Sequence, residues 1–320
     1  MLNIIYIMAG IALLTIGGEA LIRGALGAAN RLGVSPLFSG LVIVGFGTSM
    51  PEMVVSIEAA LGGQPDIAIG NIVGSNIANI LLILGCCAVL TPVAAAVTAL
   101  KRDAVVVIAA SLLFIVLAKS NSLSQYGAAL LLLSLFTYLT MAYWSEKKRN
   151  EATSAAAHPA AAGELMAAPK SAAWSVLAIG IGFAFLIAGS KVLLIGAVGL
   201  AQALGVSEAV IGLTLVAVGT SLPELAISII AAFKRQTDLV VGNVLGSNIF
   251  NLLGILGVSA LLQPLEVQGR ILAFDQWVML GVAVLLLIFL FSGRRISRVE
   301  GAVLLLSYVA YISTVYFSIN

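Results

Sequence analysis

The chain has 320 residues, 61% of them apolar and 9% charged, with mean hydropathy +1.14 and net charge +2. A soluble chain carries about 45–50% apolar and about 25% charged residues, so this one cannot cover its surface with polar groups, which argues against a soluble enzyme. The small net charge argues against nucleic acid as a partner. Continuous runs rich in Leu, Ala, Ile and Gly, in place of short alternating segments, argue against a transmembrane β-barrel.

A membrane-crossing helix needs about 20 apolar residues. Ten apolar segments can be marked as candidate spans: 3–22, 38–60, 67–90, 103–118, 125–144, 172–194, 208–232, 239–262, 274–292 and 299–317. The chain therefore reads as an all-α polytopic membrane protein of ten transmembrane helices. The first segment, MLNIIYIMAGIALL, lacks a basic leader and runs into a longer helical pattern, so it reads as a retained span and not a cleaved signal. Cys86 and Cys87 lie side by side in the third run and read as packing residues. The stretch 145–171 opens with Glu146, Lys147, Lys148 and Arg149, continues with Ala, Ser and Pro around the lone His158, and reads as a flexible linker.

Ten spans put both termini on one side, and the Lys/Arg bias says which. With the N-terminus outside, the inner side holds thirteen basic residues (Arg23, Arg31, Lys101, Arg102, Lys147, Lys148, Arg149, Lys170, Lys234, Arg235, Arg294, Arg295 and Arg298) against Lys119 and Arg270 outside. The expectation is N-out, C-out, with the linker cytoplasmic.

The chain repeats itself at an offset of 172 residues. Over 41–90 against 213–262, 26 of 50 positions are identical. The expected division is a first five-helix repeat at 1–144 with its motif at about 41–85, the linker at 145–171, and a second repeat at 172–320 with its motif at about 213–257. Five spans per repeat is odd, so the second copy enters the membrane from the opposite side. Such inverted-topology repeats build many secondary transporters.

Glu52 and Glu224 occupy matched positions in GTSMPE and GTSLPE, each inside an apolar span. An ionisable group there costs at least about 2.5–3.5 kcal/mol, and keeping it twice calls for a compensating gain such as cation binding. Around each Glu stand oxygen ligands: Thr48 and Ser49 before one, Thr220 and Ser221 before the other. Pro51 and Pro223 offer no N–H to Gly47 and Gly219, so each span should break there and free backbone carbonyls. The next spans carry GNIVGSNIANI and GNVLGSNIFNL, in which Ser75 and Asn79, and Ser247 and Asn251, are four apart and share a helix face. The GxxxG pairs Gly70/Gly74 and Gly242/Gly246 read as close helix packing, and Asn71, Asn76, Asn243 and Asn248 as residues that cap helices or tie them together.

With no imidazole or thiolate in the set, the ligands suit a hard cation. One Ca²⁺ or two Na⁺ neutralises the two carboxylates. Both cannot fill one small site, so they should compete, and competition with access alternating between two sides is antiport.

The paired motifs resemble the two α-repeats of the calcium/cation antiporter superfamily, and are most similar to prokaryotic sodium/calcium exchangers. The resemblance spans nearly the whole chain apart from the linker. It implies a ten-helix fold and Na⁺-driven Ca²⁺ export across a prokaryotic cell membrane. Transported Na⁺ and Ca²⁺ and the bilayer would be its partners, with no cofactor and a monomer sufficient for transport. By matching positions it implies Glu52 and Glu224 as the central carboxylates, and Thr48 and Thr220 as carbonyl donors to Ca²⁺. Gly45 and Ala217 match carbonyl donors to Na⁺, Ser49, Ser75, Ser221 and Ser247 match hydroxyl ligands of the Na⁺ sites, and Asn79 and Asn251 match the central polar pair. Asn251 stands where potassium-dependent relatives carry Asp, which argues against K⁺ co-transport. The short linker lacks the calcium-sensing domains of animal exchangers.

Three other readings compete. A H⁺/Ca²⁺ antiporter is disfavoured because proton-coupled relatives usually carry a further Glu just after a GN motif, whereas Gly70-Asn71 and Gly242-Asn243 lead into apolar residues. A passive channel fits poorly with inverted repeats and broken helices around a buried site. An intramembrane enzyme would need a nucleophile–base pair or a catalytic metal set beside the two Glu. The first and sixth spans carry Gly10, Gly17 and Gly18, and Gly180, Gly182 and Gly189, with no matched carboxylate, since Glu19 aligns with Lys191. Their smooth surfaces are expected to slide over the ligand-bearing core, which resembles the gating proposed for the family.

Overall fold

The computed structural model describes residues 2–94, 99–156, 171–204, 219–293 and 295–319. Helix α1 covers Leu2–Leu32. Helices α2 (Pro36–Thr48) and α3 (Met50–Leu61) meet at a 43° bend, and α4 runs Pro65–Leu90. A π turn at Ala99–Ala104 leads into α5, Val105–Ala118. Then come α6 (Gln125–Ala156), α7 (Ala172–Ala203) and α8 (Leu222–Phe233). Helix α9 is Thr237–Leu262. A π turn at Ile271–Asp275 precedes α10, Gln276–Gly293, and α11 closes the chain at Arg298–Ile319.

Among the described residues, seven helices are long and apolar enough to cross a membrane, or eight when α2 and α3 count as one bent span. The protein is a multi-pass helical membrane protein. Ten spans would further require α5, 14 residues long without its π turn, to cross, and α8 to be continued by 208–218, which lie outside the described residues.

Several helices outrun the apolar segments that announce them. The first segment ends where Arg23 interrupts the apolar run. The helix continues through Arg31 because nothing in RGALGAANRL breaks it until Gly33, which takes φ +63. Helix α6 likewise continues through the polar EKKRNEATSAA to Ala156, so the first part of the segment read as linker is helical.

The 172-residue offset recurs in the elements. Met50–Leu61 maps onto Leu222–Phe233 at both ends. Both helices stop on a residue with positive φ, Gly63 in one and Arg235 at the matched position in the other. The backbone bonds there also match: Gln64 N–H to Ala59 C=O at 2.8 Å, and Gln236 N–H to Ala231 C=O at 2.8 Å. Four short strands form two reciprocal clips between the halves. Val93–Ala94 (β1) pairs antiparallel with Arg295–Ile296 (β4), and Ser122–Leu123 (β2) with Leu265–Glu266 (β3).

Helices α4 and α9 are buried through most of their length, and the others present one face outward. Helix α9 reaches its place because Gly242 and Gly246 carry no side chain. A Cβ on Gly246 would lie 2.2 Å from Leu41 O, and one on Gly242 2.4 Å from Leu37 O, so this GxxxG pair seats α9 against α2. Gly70 and Gly74 have no such backbone neighbour among the described residues. The residues at the offset of Leu37 and Leu41, 209 and 213, lie outside them. The glycines of α1 and α7 mostly face each other. A Cβ on Gly10 would come within 2.6 Å of Leu193, on Gly17 within 2.9 Å of Gly182 and on Gly189 within 2.9 Å of Leu14. They fasten the two helices into an antiparallel pair, instead of smoothing both against the core as their sequence suggests.

Candidate ion-binding site

The chain breaks where the prolines predict. Helix α2 ends at Thr48, Ser49 takes φ −80 and ψ 7, and α3 restarts at Met50 with Pro51 in its first turn. In the second copy Ser221 takes φ −87 and ψ 9, and α8 starts at Leu222 with Pro223 likewise placed. Both carboxylates thus sit in the first turn of a helix deep in the bundle, Glu52 and Glu224 each 1% exposed. The helix N-terminus offsets part of the cost of a buried anion there.

The two motifs are joined crosswise. Ser49 Oγ donates to Glu224 Oε1 at 3.0 Å, and Ser221 Oγ donates to Glu52 Oε1 at 2.8 Å. Ser75 Oγ on α4 lies 3.5 Å from Glu52 Oε1 and 3.3 Å from Ser221 Oγ. Each carboxylate keeps its other oxygen, Oε2, buried without a hydrogen-bond partner.

One helical turn beyond Ser75, Asn79 Nδ2 donates to Asn248 Oδ1 at 2.9 Å, and reciprocally Asn251 Nδ2 donates to Asn76 Oδ1 at 3.0 Å. Asn76 and Asn248 each donate to the other's backbone carbonyl, at 3.2 and 3.3 Å. This quartet fixes the crossing of α4 and α9 and commits the Nδ2 groups of Asn79 and Asn251. The Oδ1 atoms of Asn79 and Asn251 are then left buried and unpaired. Both asparagines lie at π turns, Asn79–Leu84 and Phe250–Ile255, a distortion frequent at functional sites.

A further layer holds the helix starts. Asn71 Nδ2 donates to Glu52 O at 3.2 Å and Ser56 Oγ at 3.0 Å, and Asn243 Nδ2 to Glu224 O at 3.3 Å and Ser228 Oγ at 2.9 Å. Thr48 Oγ1 stands 3.0 Å from Val44 O and 3.2 Å from Asn243 Oδ1, and Thr220 Oγ1 is 3.5 Å from Asn71 Oδ1. Ser247 Oγ donates to Gly45 O at 3.1 Å. Ala217 lies outside the described residues.

Of the residues singled out in the sequence, Glu52, Ser221 and Ser75 form one bonded set and Glu224 and Ser49 another, each joining the two motifs. Ser247 meets Gly45, and Asn79 and Asn251 meet through Asn248 and Asn76. Sequence reasoning missed Ser56 and Ser228. The signal was present, for both are identical at the 172 offset and lie four residues after each Glu.

Among the described ligand candidates, four buried acceptors stay unpaired: Glu52 Oε2, Glu224 Oε2, Asn79 Oδ1 and Asn251 Oδ1. An unsatisfied buried polar group costs about 1–3 kcal/mol, more if charged. All four are hard oxygens, and two carry formal charge, so the donor set fits a hard cation.

The profile of the sodium/calcium exchanger protein family matches residues 2–144 and 174–317, which takes in both motifs and every described ligand candidate. The chain belongs to the sodium/calcium exchanger family. It is 38% identical to the putative antiporter CaxA of Alkalimonas amylolytica, over 96% of each chain. It is 35% identical to the sodium/calcium exchanger MaX1 of Methanosarcina acetivorans, over 98% of this chain and 99% of that one. A solved structure of the sodium-calcium exchanger NCX_Mj superposes with a TM-score of 0.83 at 29% identity, covering 98% of this chain and 99% of that one. Members of the family are membrane transporters and not enzymes.

Proposed function

We propose that this protein is a secondary antiporter that exchanges Na⁺ for Ca²⁺ by alternating access and normally exports Ca²⁺. The observation that carries this reading is the set of four unpaired buried oxygens, two of them carboxylate, on four helices related by one internal repeat. Ca²⁺ is held by Glu52 and Glu224 with the backbone carbonyls of Thr48 and Thr220. Na⁺ is held by the hydroxyls of Ser49, Ser75, Ser221 and Ser247 with the carbonyls of Gly45 and Ala217, and Asn79 and Asn251 close the centre. Two negative charges are balanced by one Ca²⁺ or two Na⁺, so each substrate displaces the other. Serine and asparagine oxygens coordinate Na⁺ well and add nothing a proton would need, which supports Na⁺ over H⁺ as the driving ion.

In this reading ten helices form two inverted repeats, 1–144 and 172–320, joined by a cytoplasmic linker at 145–171, with both termini outside. The reciprocal strand clips and crosswise Ser–Glu bonds support such a pseudo-two-fold arrangement. The α1–α7 pair is the part that moves against the core.

The test is ⁴⁵Ca²⁺ flux in proteoliposomes with Na⁺, H⁺ or K⁺ gradients imposed singly. The expected result is uptake driven by an outward Na⁺ gradient and by neither of the others. Uptake driven by a H⁺ gradient alone would overturn Na⁺ coupling.

A further inference from the structure

The moving pair is held to the core unevenly. Helix α1 lies along α8, and a Cβ on Gly18 would meet Ile230 Cδ1 at 2.4 Å. Beside that contact Lys234, just past the end of α8, forms an ion pair with Glu19 Oε2. Arg23 braces the same carboxylate, donating to Glu19 Oε1 at 2.8 Å. By the repeat, the mirrored contact would be α7 on α3. Among the described residues helix α7 makes no comparable contact with α3, so on that side the mirrored contact is open.

The residues at the mirrored contact are charged in the opposite sense. The 172 offset carries Glu19 to Lys191, Gly18 to Ser190, and Ile230 to Glu58. Where the covered side has an acid on the moving helix and a base on the core, the uncovered side has a base on the moving helix and an acid on the core. Lys191 and Glu58 are both exposed, and no ion pair joins them in this structure. Glu58 lies one turn before Gly62, the position matching Lys234, so it stands on the same face of its helix.

We infer that Glu19–Lys234 and Lys191–Glu58 are two alternative latches. The first holds the cytoplasmic side shut, as here, and the second forms only when the α1–α7 pair has moved and the outer side has shut. This rests on the alternating-access reading. Two latches of similar strength keep the two states near balance, which exchange requires, because a strong single latch would trap one of them.

The latches are tested by hydrogen exchange on the full-length protein in detergent without Ca²⁺, together with ⁴⁵Ca²⁺ exchange in proteoliposomes. Lys234→Gln should increase exchange at the end of α8 and, at a distance, decrease it at the end of α3. It should raise the external Ca²⁺ concentration for half-maximal uptake by up to about fivefold, the range of a partly exposed pair. Lys191→Gln and Glu58→Gln should leave the α8 end protected and should not raise that concentration. A merely structural ion pair would loosen α8 locally without protecting α3. Local loosening alone, or shifts of the same sign for Lys234→Gln and Lys191→Gln, would overturn the latch proposal while wild-type exchange stood. Absence of wild-type Na⁺-driven exchange would instead remove the antiport reading beneath it.

Discussion

Glu52 and Glu224 each spend one oxygen on a serine from the other motif and leave the other buried and unpaired, the atom proposed above to meet the cation. Glu52→Gln or Glu224→Gln preserves shape and removes one negative charge in a region of low dielectric, where attraction for a divalent ion is strong. Each variant should fold and insert normally and carry ⁴⁵Ca²⁺ only at background rates, and near-normal exchange in both would dismiss this site. Arg235 makes a different point. It takes φ +56 where the matched residue is Gly63, and a left-handed backbone costs a non-glycine residue about 1–2 kcal/mol. Arg235→Gly should therefore stabilise the protein by roughly 1 kcal/mol after the entropy loss of glycine is deducted. The readout is a higher midpoint of thermal unfolding in detergent, and a lower midpoint would show that the Arg235 side chain stabilises more than its backbone strain costs.

At the scale of elements, close approach is set by missing side chains. Gly246 sits where a Cβ would lie 2.2 Å from Leu41 O, and backbone cannot yield as a side chain can. Gly246→Val should push α9 off α2 and cost at least the 1–3 kcal/mol typical of overpacking, read as a lowered unfolding midpoint. A Cβ on Gly74 meets nothing within 4 Å among the described residues, so Gly74→Val serves as the comparison, and equal losses in the two would refute this account of the α2–α9 seam. The outer helices are braced near both ends by matched clusters. Tyr138 donates to Asp103 Oδ1 at 2.8 Å with Arg102 beside it, and Tyr311 donates to Asp275 Oδ1 at 3.2 Å with Arg270 beside it. Asp103 and Asp275 match at the 172 offset, whereas their arginines come from different positions. The clusters tie the start of α5 to α6 and the start of α10 to α11.

For the whole molecule, the thirteen-to-two basic asymmetry predicts the sides. A single cysteine placed in 150–165 should react with an impermeant reagent only from the cytoplasm, and one near Asn320 only from outside. Labelling of both from the same side would mean that the number of crossings between them is even. The sequence alone determined the class of molecule, the repeat, the break at Ser49, the matched helix start at Leu222 and the residues of the candidate site. Each of these is written locally: an apolar run must leave water, a Pro deprives Gly47 of a donor, and a Glu kept twice at matched places needs a ligand. The tertiary structure decided which distant residue answers each demand. Ser49 serves Glu224 and not its own Glu52, Asn248 turns Asn79 so that Oδ1 is the atom left over, and the glycines of α1 face α7. In a chain that repeats itself, bonds within a motif and bonds across motifs satisfy the same composition. Only the packing of the helices chooses between them, and it leaves one charged contact closed and its mirror image open.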